Sequence, residues 1–181
     1  MGSLVTALGS YLDARSHGGE WRLRIDDIDP PRQNKASFES IPFCLESHGL
    51  TWDGSIILQS QRREAHERAL SKLRNAGYLF ACGCTRATLG ELGACISDCR
   101  DRTDIEGSVR YRVPNDVPDL FDDLFLKKPR VSSLPKNFIV KRRDGLIAYQ
   151  LATAIDDLDE GYTHVIRGGD LLESSLRQMI I

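Results

Sequence analysis

Four of the five cysteines in this 181-residue chain fall within CGCTRATLGELGACISDC, residues 82 to 99, in the order C-x-C-x10-C-x3-C. Thiols this close in sequence bind a metal, form disulfides or carry redox chemistry, and each choice restricts the surrounding fold. The N-terminal MGSLVTALGSYLDAR lacks a basic segment followed by a long apolar core. No stretch approaches the roughly 18 consecutive apolar residues of a membrane span. The expected location is therefore cytoplasmic, without a membrane partner, and in a reducing compartment clustered cysteines indicate a metal site before disulfides. Two short-range pairs can surround one Zn2+ tetrahedrally, with Cys82 and Cys84 on one turn and Cys95 and Cys99 on the other. Unligated loop thiols and a redox pair stay open as alternatives. Cys82 and Cys84 have only one residue between them, and Cys95 and Cys99 are also spaced as neighbours on one helical face. Cys44, within IPFCLESHGL, is expected in the core.

With 41% hydrophobic and 28% charged residues, the chain suits one large globular domain, or one domain carrying an insertion. A net charge of -2 and a pI near 6.1 exclude a uniformly basic nucleic-acid coat, while leaving a local basic face such as Lys141, Arg142 and Arg143. Leu4, Leu8, Tyr11 and Leu12 form a helical stripe that stops near Gly18 and Gly19. WRLRI is a short strand pattern, ended by DDIDPPR, where two prolines forbid further pairing. Helices are expected over 37–48 and 62–76, the second with Ala65, Ala69, Leu70 and Leu73 inward. VRYRV, NFIVKR and THVIRG suggest strands, DGLIAYQLATAIDD a turn opening a helix, and DLLESSLRQMII a last helix. Residues 114–135 are the most loop-like. Strands alternating with helices predict an α/β fold with a doubly wound parallel sheet, whose ligands sit beyond the carboxyl ends of the strands. Asp26, after WRLRI, and Arg167, after HVI, hold such positions. His17, His48, His66 and His164 show no ligand-like spacing.

RLRIDDIDPPR, NFIVKRRDGLIAYQLATAIDD and THVIRGGDLLESSLRQ, in this order and around a cysteine insertion, resemble the catalytic domain of glutamyl-tRNA synthetases. GSLVTALGSYLDAR and DPPR are more similar to the glutamyl-queuosine tRNA(Asp) synthetase branch, the short paralogues that lack an anticodon-binding domain. The resemblance implies a Rossmann-like class I synthetase core with a small zinc-binding insertion. The first part of the core covers 1–81, the insertion 82–108, and the remainder 109–181. It also implies that L-glutamate is activated with ATP and Mg2+ to glutamyl-adenylate and transferred to queuosine in the anticodon of tRNA(Asp), by a monomer. The family insertion usually supplies three cysteines and a tyrosine; Cys95 stands at the tyrosine position.

Carried over residue by residue, the glutamate site falls on Asp26, Tyr149 and Arg167. A zwitterion with an anionic side chain needs a carboxylate near its ammonium, a rigid cation for its side-chain carboxylate and a polar tip that fixes the pose. The family commonly has glutamate at the position of Asp26, so one methylene is missing and a bridging water is expected. Taken singly, Asp26 and Asp27 are turn residues at a strand end, Arg167 a surface charge before two glycines, and Tyr149 a core aromatic. Only the joint pattern favours a site.

Gly2 and Ser3 align with the tail of the family's ATP-binding signature, whose histidine is absent, and the lysine loop that stabilises adenylate formation is expected past Ile181. The expectation is a truncated core without its first strand, lacking catalytic residues of its own, inactive and poorly packed. Three other readings stay open: a piece of an ordinary glutamyl-tRNA synthetase, a non-catalytic zinc-stabilised RNA-binding module, and a dinucleotide-dependent oxidoreductase. No G-x-G-x-x-G turn supports the last.

Overall fold

Helix α1 (Gly2–Ser16) ends where Gly18 takes φ 64 and the Gly18 and Gly19 amides donate to the Arg15 and Ala14 carbonyls. Left-handed backbone of this kind costs glycine nothing, which is why the helix stops there. The computed structural model describes residues 2–34, 36–90, 93–102, 104, 106–114 and 136–181, apart from the side chains of Arg32 and Asp98. The loop expected over 114–135 lies outside the described residues except for Pro114. The chain divides into two compact units, Met1–Arg63 with Asp157–Leu172 and Glu64–Asp156 with Glu173–Ile181.

The first unit carries α1, strand β1 (Arg24–Ile25), helix α2 (Ser37–Ser47) and strand β2 (Ile57–Leu58). β1 and β2 pair in parallel, Arg24 opposite Ile57 and Ile25 opposite Leu58. The stripe expected of α1 does not turn inward: Leu8 and Leu12 are exposed and no residue of the helix is buried. Trp21 packs edge-on against Tyr11, and its indole N–H donates to Ser10 Oγ at 2.9 Å, so the helix side that meets the protein carries Ser10 and Tyr11. Cys44 is exposed rather than in the core. It precedes the buried Leu45 on α2, and one helical step turns a neighbour through about a quarter of the circumference.

Helix α3 (Arg63–Asn75), strands β3 (Leu79–Cys82), β4 (Ser108–Tyr111) and β5 (Phe138–Lys141), helix α4 (Tyr149–Asp159) and helix α5 (Leu172–Ile180) follow. Glu64 in the first turn of α3 and Lys72 and Arg74 in its last complement the helix dipole. The second unit is built on the antiparallel sheet β3-β4-β5, which corrects the expectation that these strands run parallel. Parallel neighbours need a crossover helix between them. Among the described residues, only short 3-10 turns separate β3 from β4. THVIRG is not a strand; residues 162–168 have no regular structure and pair with no strand among those described. Tyr78, Tyr111 and Phe138 stack at 5.7 and 5.5 Å between ring centroids, and the Tyr111 hydroxyl donates to the Ile180 carbonyl. Val140, Leu151 and Ala152 are fully buried in the same unit.

Candidate functional site

Asp26 lies immediately after β1, and Arg24, two residues earlier, donates to it from Nε at 2.8 Å. Through Nη1 the same guanidinium donates to Asp157 Oδ1 at 2.7 Å, and the other oxygen of Asp157 accepts from Arg167 Nη2 at 3.2 Å. One charge network thus joins Asp26 and Arg167, both of them expected from sequence, through Arg24 and Asp157, which were not. Burial opposes the Arg24 charge, but Asp26 and Asp157 outweigh it and its pKa is raised. The ring of Tyr162 lies 6.0 Å from its guanidinium carbon, and burial raises that phenol too. The missed signals were the period-two spacing of Arg24 and Asp26, and the doubled aspartate in AIDD. One helical step separates the buried Asp156 from Asp157.

Asp27 has a different task. It is buried, and its carboxylate accepts from the Ser60 amide at 2.7 Å and the Ser60 hydroxyl at 2.6 Å, while its carbonyl accepts from the Gln33 side chain. These bonds fix the loop after β1. An open cleft of about 380 Å³ lies beside that loop, with Asp26, Asp27 and Asp29 among its walls and Phe38 and Ile41 supplying apolar surface. Arg167 does not line this cleft. Tyr149, the first residue of α4 in the second unit, is 37% exposed rather than in the core. Gly2 and Ser3, the expected motif remnant, are exposed in the first turn of α1.

The four clustered thiols converge. All four Sγ atoms lie within 4.8 Å of one another, with Cys84 at 3.7 Å from both Cys95 and Cys99. Tetrahedral zinc with Zn–S bonds of about 2.3 Å places its sulfurs about 3.8 Å apart, so the set has the size of a four-thiolate metal site. All are free thiols, and Cys82 and Cys99 are buried against Phe80. Ser97 Oγ, 3.4 Å from Cys84, brings that thiol down to about 7, whereas burial pushes Cys95 up to about 12. Cys82 ends β3 directly opposite Ser108 at the start of β4, so the segment carrying the thiols leaves and re-enters at one rung. A Cβ on Gly107 would collide with the Cys82 carbonyl, which is why that rung needs glycine. Of the basic run, Lys141 is paired with Glu67 and Arg142 with Asp144, so much of its charge is answered locally. His66 and Asp156, buried and 2.8 Å apart, were not recognised from sequence.

The family model for the catalytic domain of class I tRNA synthetases (E and Q) matches residues 1–181. The chain belongs to this family. A glutamyl-Q tRNA(Asp) synthetase of Idiomarina loihiensis is 41% identical over 185 residues, covering 100% of this chain and 65% of the relative. One of Yersinia pestis is 42% identical, covering 99% and 57%. A crystal structure of a glutamate tRNA ligase from Elizabethkingia meningosepticum, in complex with its amino acid, superposes with a TM-score of 0.81 at 25% identity, covering 98% of this chain and 42% of that one. The α/β fold is that of a class I synthetase catalytic domain. The chain thus spans between half and two thirds of the length of the relatives it matches in sequence. Among the described residues, no helix of this synthetase domain is long and apolar enough to cross a membrane.

Proposed function

We propose that the whole protein is a ligase that activates L-glutamate with ATP and Mg2+ and transfers it to queuosine in tRNA(Asp). The observation that carries this reading is the network that ties Asp26 to Arg167 through Arg24 and Asp157. A carboxylate and a rigid guanidinium held in one lattice of ion pairs match the ammonium and side-chain carboxylate of a dicarboxylic amino acid. Asp157 keeps the Arg167 plane fixed before substrate arrives, which lowers the ordering cost of binding. Tyr149 is assigned the pose-fixing hydroxyl. The acceptor nucleoside is read from the names of the Idiomarina and Yersinia relatives.

Cys82, Cys84, Cys95 and Cys99 would hold one zinc ion, whose role is structural, pinning the segment that carries them. Metal analysis of protein prepared without chelator should find one equivalent of zinc. Cys82→Ser should lose it, and Cys95→Tyr should keep it. Four freely reactive thiols in metal-free protein would remove this part of the reading.

The test of the glutamate site is pyrophosphate exchange by the whole protein. Arg167→Ala should lose about 2–5 kcal/mol of transition-state stabilisation, as when one partner of a desolvated charge pair is removed. Its melting temperature should change little, since Asp157 keeps Arg24. Exchange at the wild-type rate would take Arg167 out of the site. Labelled glutamate should transfer to tRNA(Asp) that carries queuosine and not to the same tRNA without it.

A further inference from the structure

Asp13, His17 and His164, none of which belongs to the thiol cluster or the Asp26–Arg167 network, bring a carboxylate oxygen and two imidazole nitrogens together, all three donor atoms within 4.8 Å of one another. All three residues belong to the first unit. Asp13 and His17 stand one turn apart at the end of α1, the spacing at which helix side chains face each other. His164 comes from the irregular segment that follows α4. The two imidazole rings lie 5.1 Å apart, tilted by 33°.

We propose that this cluster is a second metal site, for a single divalent ion of the zinc class. Imidazole suits zinc, copper, nickel and cobalt, whereas magnesium and calcium prefer an all-oxygen shell. Two nitrogens and one carboxylate leave a fourth position for water, as in open zinc sites. Metal-binding histidines are usually oriented by a partner on the ring nitrogen that does not bind. Here the Asp13 carbonyl lies 2.9 Å from His17 Nδ1, and Thr163 Oγ1 lies 2.9 Å from His164 Nδ1. A carbonyl can only accept, so in the metal-free protein His17 Nδ1 carries the proton, and the same nitrogen lies 3.5 Å from the Asp13 carboxylate. Asp13 and His17 sit at the last turn of α1, and a helix C-terminus favours positive charge. Core packing does not account for the cluster, because His17 and His164 are both exposed.

Arg167 follows His164 by three residues on the same irregular segment, so an ion held between α1 and His164 would tie down the stretch that presents Arg167. The site would then act at a distance, by ordering that segment.

Titration with Co2+ alone, followed by absorption, separates this site from the cysteines, because cobalt on thiolates has a strong near-ultraviolet charge-transfer band that cobalt on nitrogen and oxygen lacks. Wild type should take up an equivalent of Co2+ that shows visible d–d absorption without that band. His17→Ala, His164→Ala and Asp13→Asn should each weaken this uptake at least about tenfold, since second-sphere changes alone cost 10–100-fold. His48→Ala, an exposed histidine outside the cluster, should leave it unchanged. Melting in excess chelator should be alike for wild type and both histidine variants, showing that the lost uptake is not unfolding. If wild type takes up no such equivalent at saturating Co2+, or if the variants match it, the site does not exist. Either result is read independently of whether the thiols bind metal or glutamate is activated.

Discussion

Leu45 and Leu50 are the buried apolar residues of the first unit among those described, whereas the second packs Phe80, Tyr111, Phe138, Val140, Leu151 and others into one core around its sheet. Both units carry ion pairs, but in the first they join distant parts of its chain with little apolar core beside them: Arg15 with Asp53, Arg24 with Asp157, Arg62 with Asp159, and Arg24 with Asp26 and Asp157 with Arg167 at the candidate site. Ion pairs that water reaches contribute little to folding, while buried apolar side chains contribute roughly 1.5–3 kcal/mol each. The unit that carries the glutamate-binding candidates Asp26 and Arg167 is thus held largely by oriented charge, and the other has a packed apolar core of its own. Oriented charges bind a zwitterion well and hold a fold together poorly.

That contrast is tested hardest at the buried pair of the second unit. Asp156→Ala leaves His66 without its partner in a closed interior, and removing one member of a buried pair costs about 3–5 kcal/mol. Denaturant unfolding should register a loss of that size, and replacing both residues by leucine should recover much of it. A loss within the exposed-pair range, about 0–1 kcal/mol, would show that the core does not depend on the pair. A smaller effect is expected at the rung where the thiol segment leaves the sheet. Gly107→Ala forces a methyl group against the Cys82 carbonyl and should cost about 1–3 kcal/mol, with faster loss of any bound metal to a chelator. Unchanged melting and metal release would mean that the rung relaxes freely.

The smallest effect belongs to the first unit. The Arg15 guanidinium, at 2.8 Å, and then the Trp21 amide hold Asp53 below the ordinary carboxylate value of 3.8. A carboxylate with a depressed folded-state pKa adds stability above its unfolded value. That contribution is lost as pH falls through the folded one. Asp53→Asn should therefore melt slightly lower than wild type at neutral pH and match it only at the acid end, below the depressed folded-state value. A constant difference across the whole range would assign the effect to packing instead of charge.

The helices were legible because each depends mainly on its own sequence. The expected 37–48 and 62–76 are Ser37–Ser47 and Arg63–Asn75, closed by local signals such as the basic last turn of α3. Strands were half legible. VRYRV and NFIVKR form strands, but their direction depends on which neighbour each one meets, and here β4 pairs antiparallel with both β3 and β5. THVIRG has the residue pattern of a strand and no ladder partner among the described residues, and backbone hydrogen bonds between neighbours are what make a strand. The same limit applied to Leu8, Leu12 and Cys44, whose apolar character says nothing about whether a surface arrives to cover them.

Of the candidate sites, sequence by itself singled out the cysteine cluster, because only 16 residues lie between Cys82 and Cys99 and a short loop closes at little entropic cost. It also singled out Asp26 and Arg167, but not what connects them. Arg24 and Asp157 are separated by 133 positions, and Asp13 and His17 are more distant still in sequence from His164, so neither grouping has a spacing to read. Only the tertiary structure decides such pairings, since a charge or an imidazole finds its partner across space, and that distance is set by how the helices and strands between them pack.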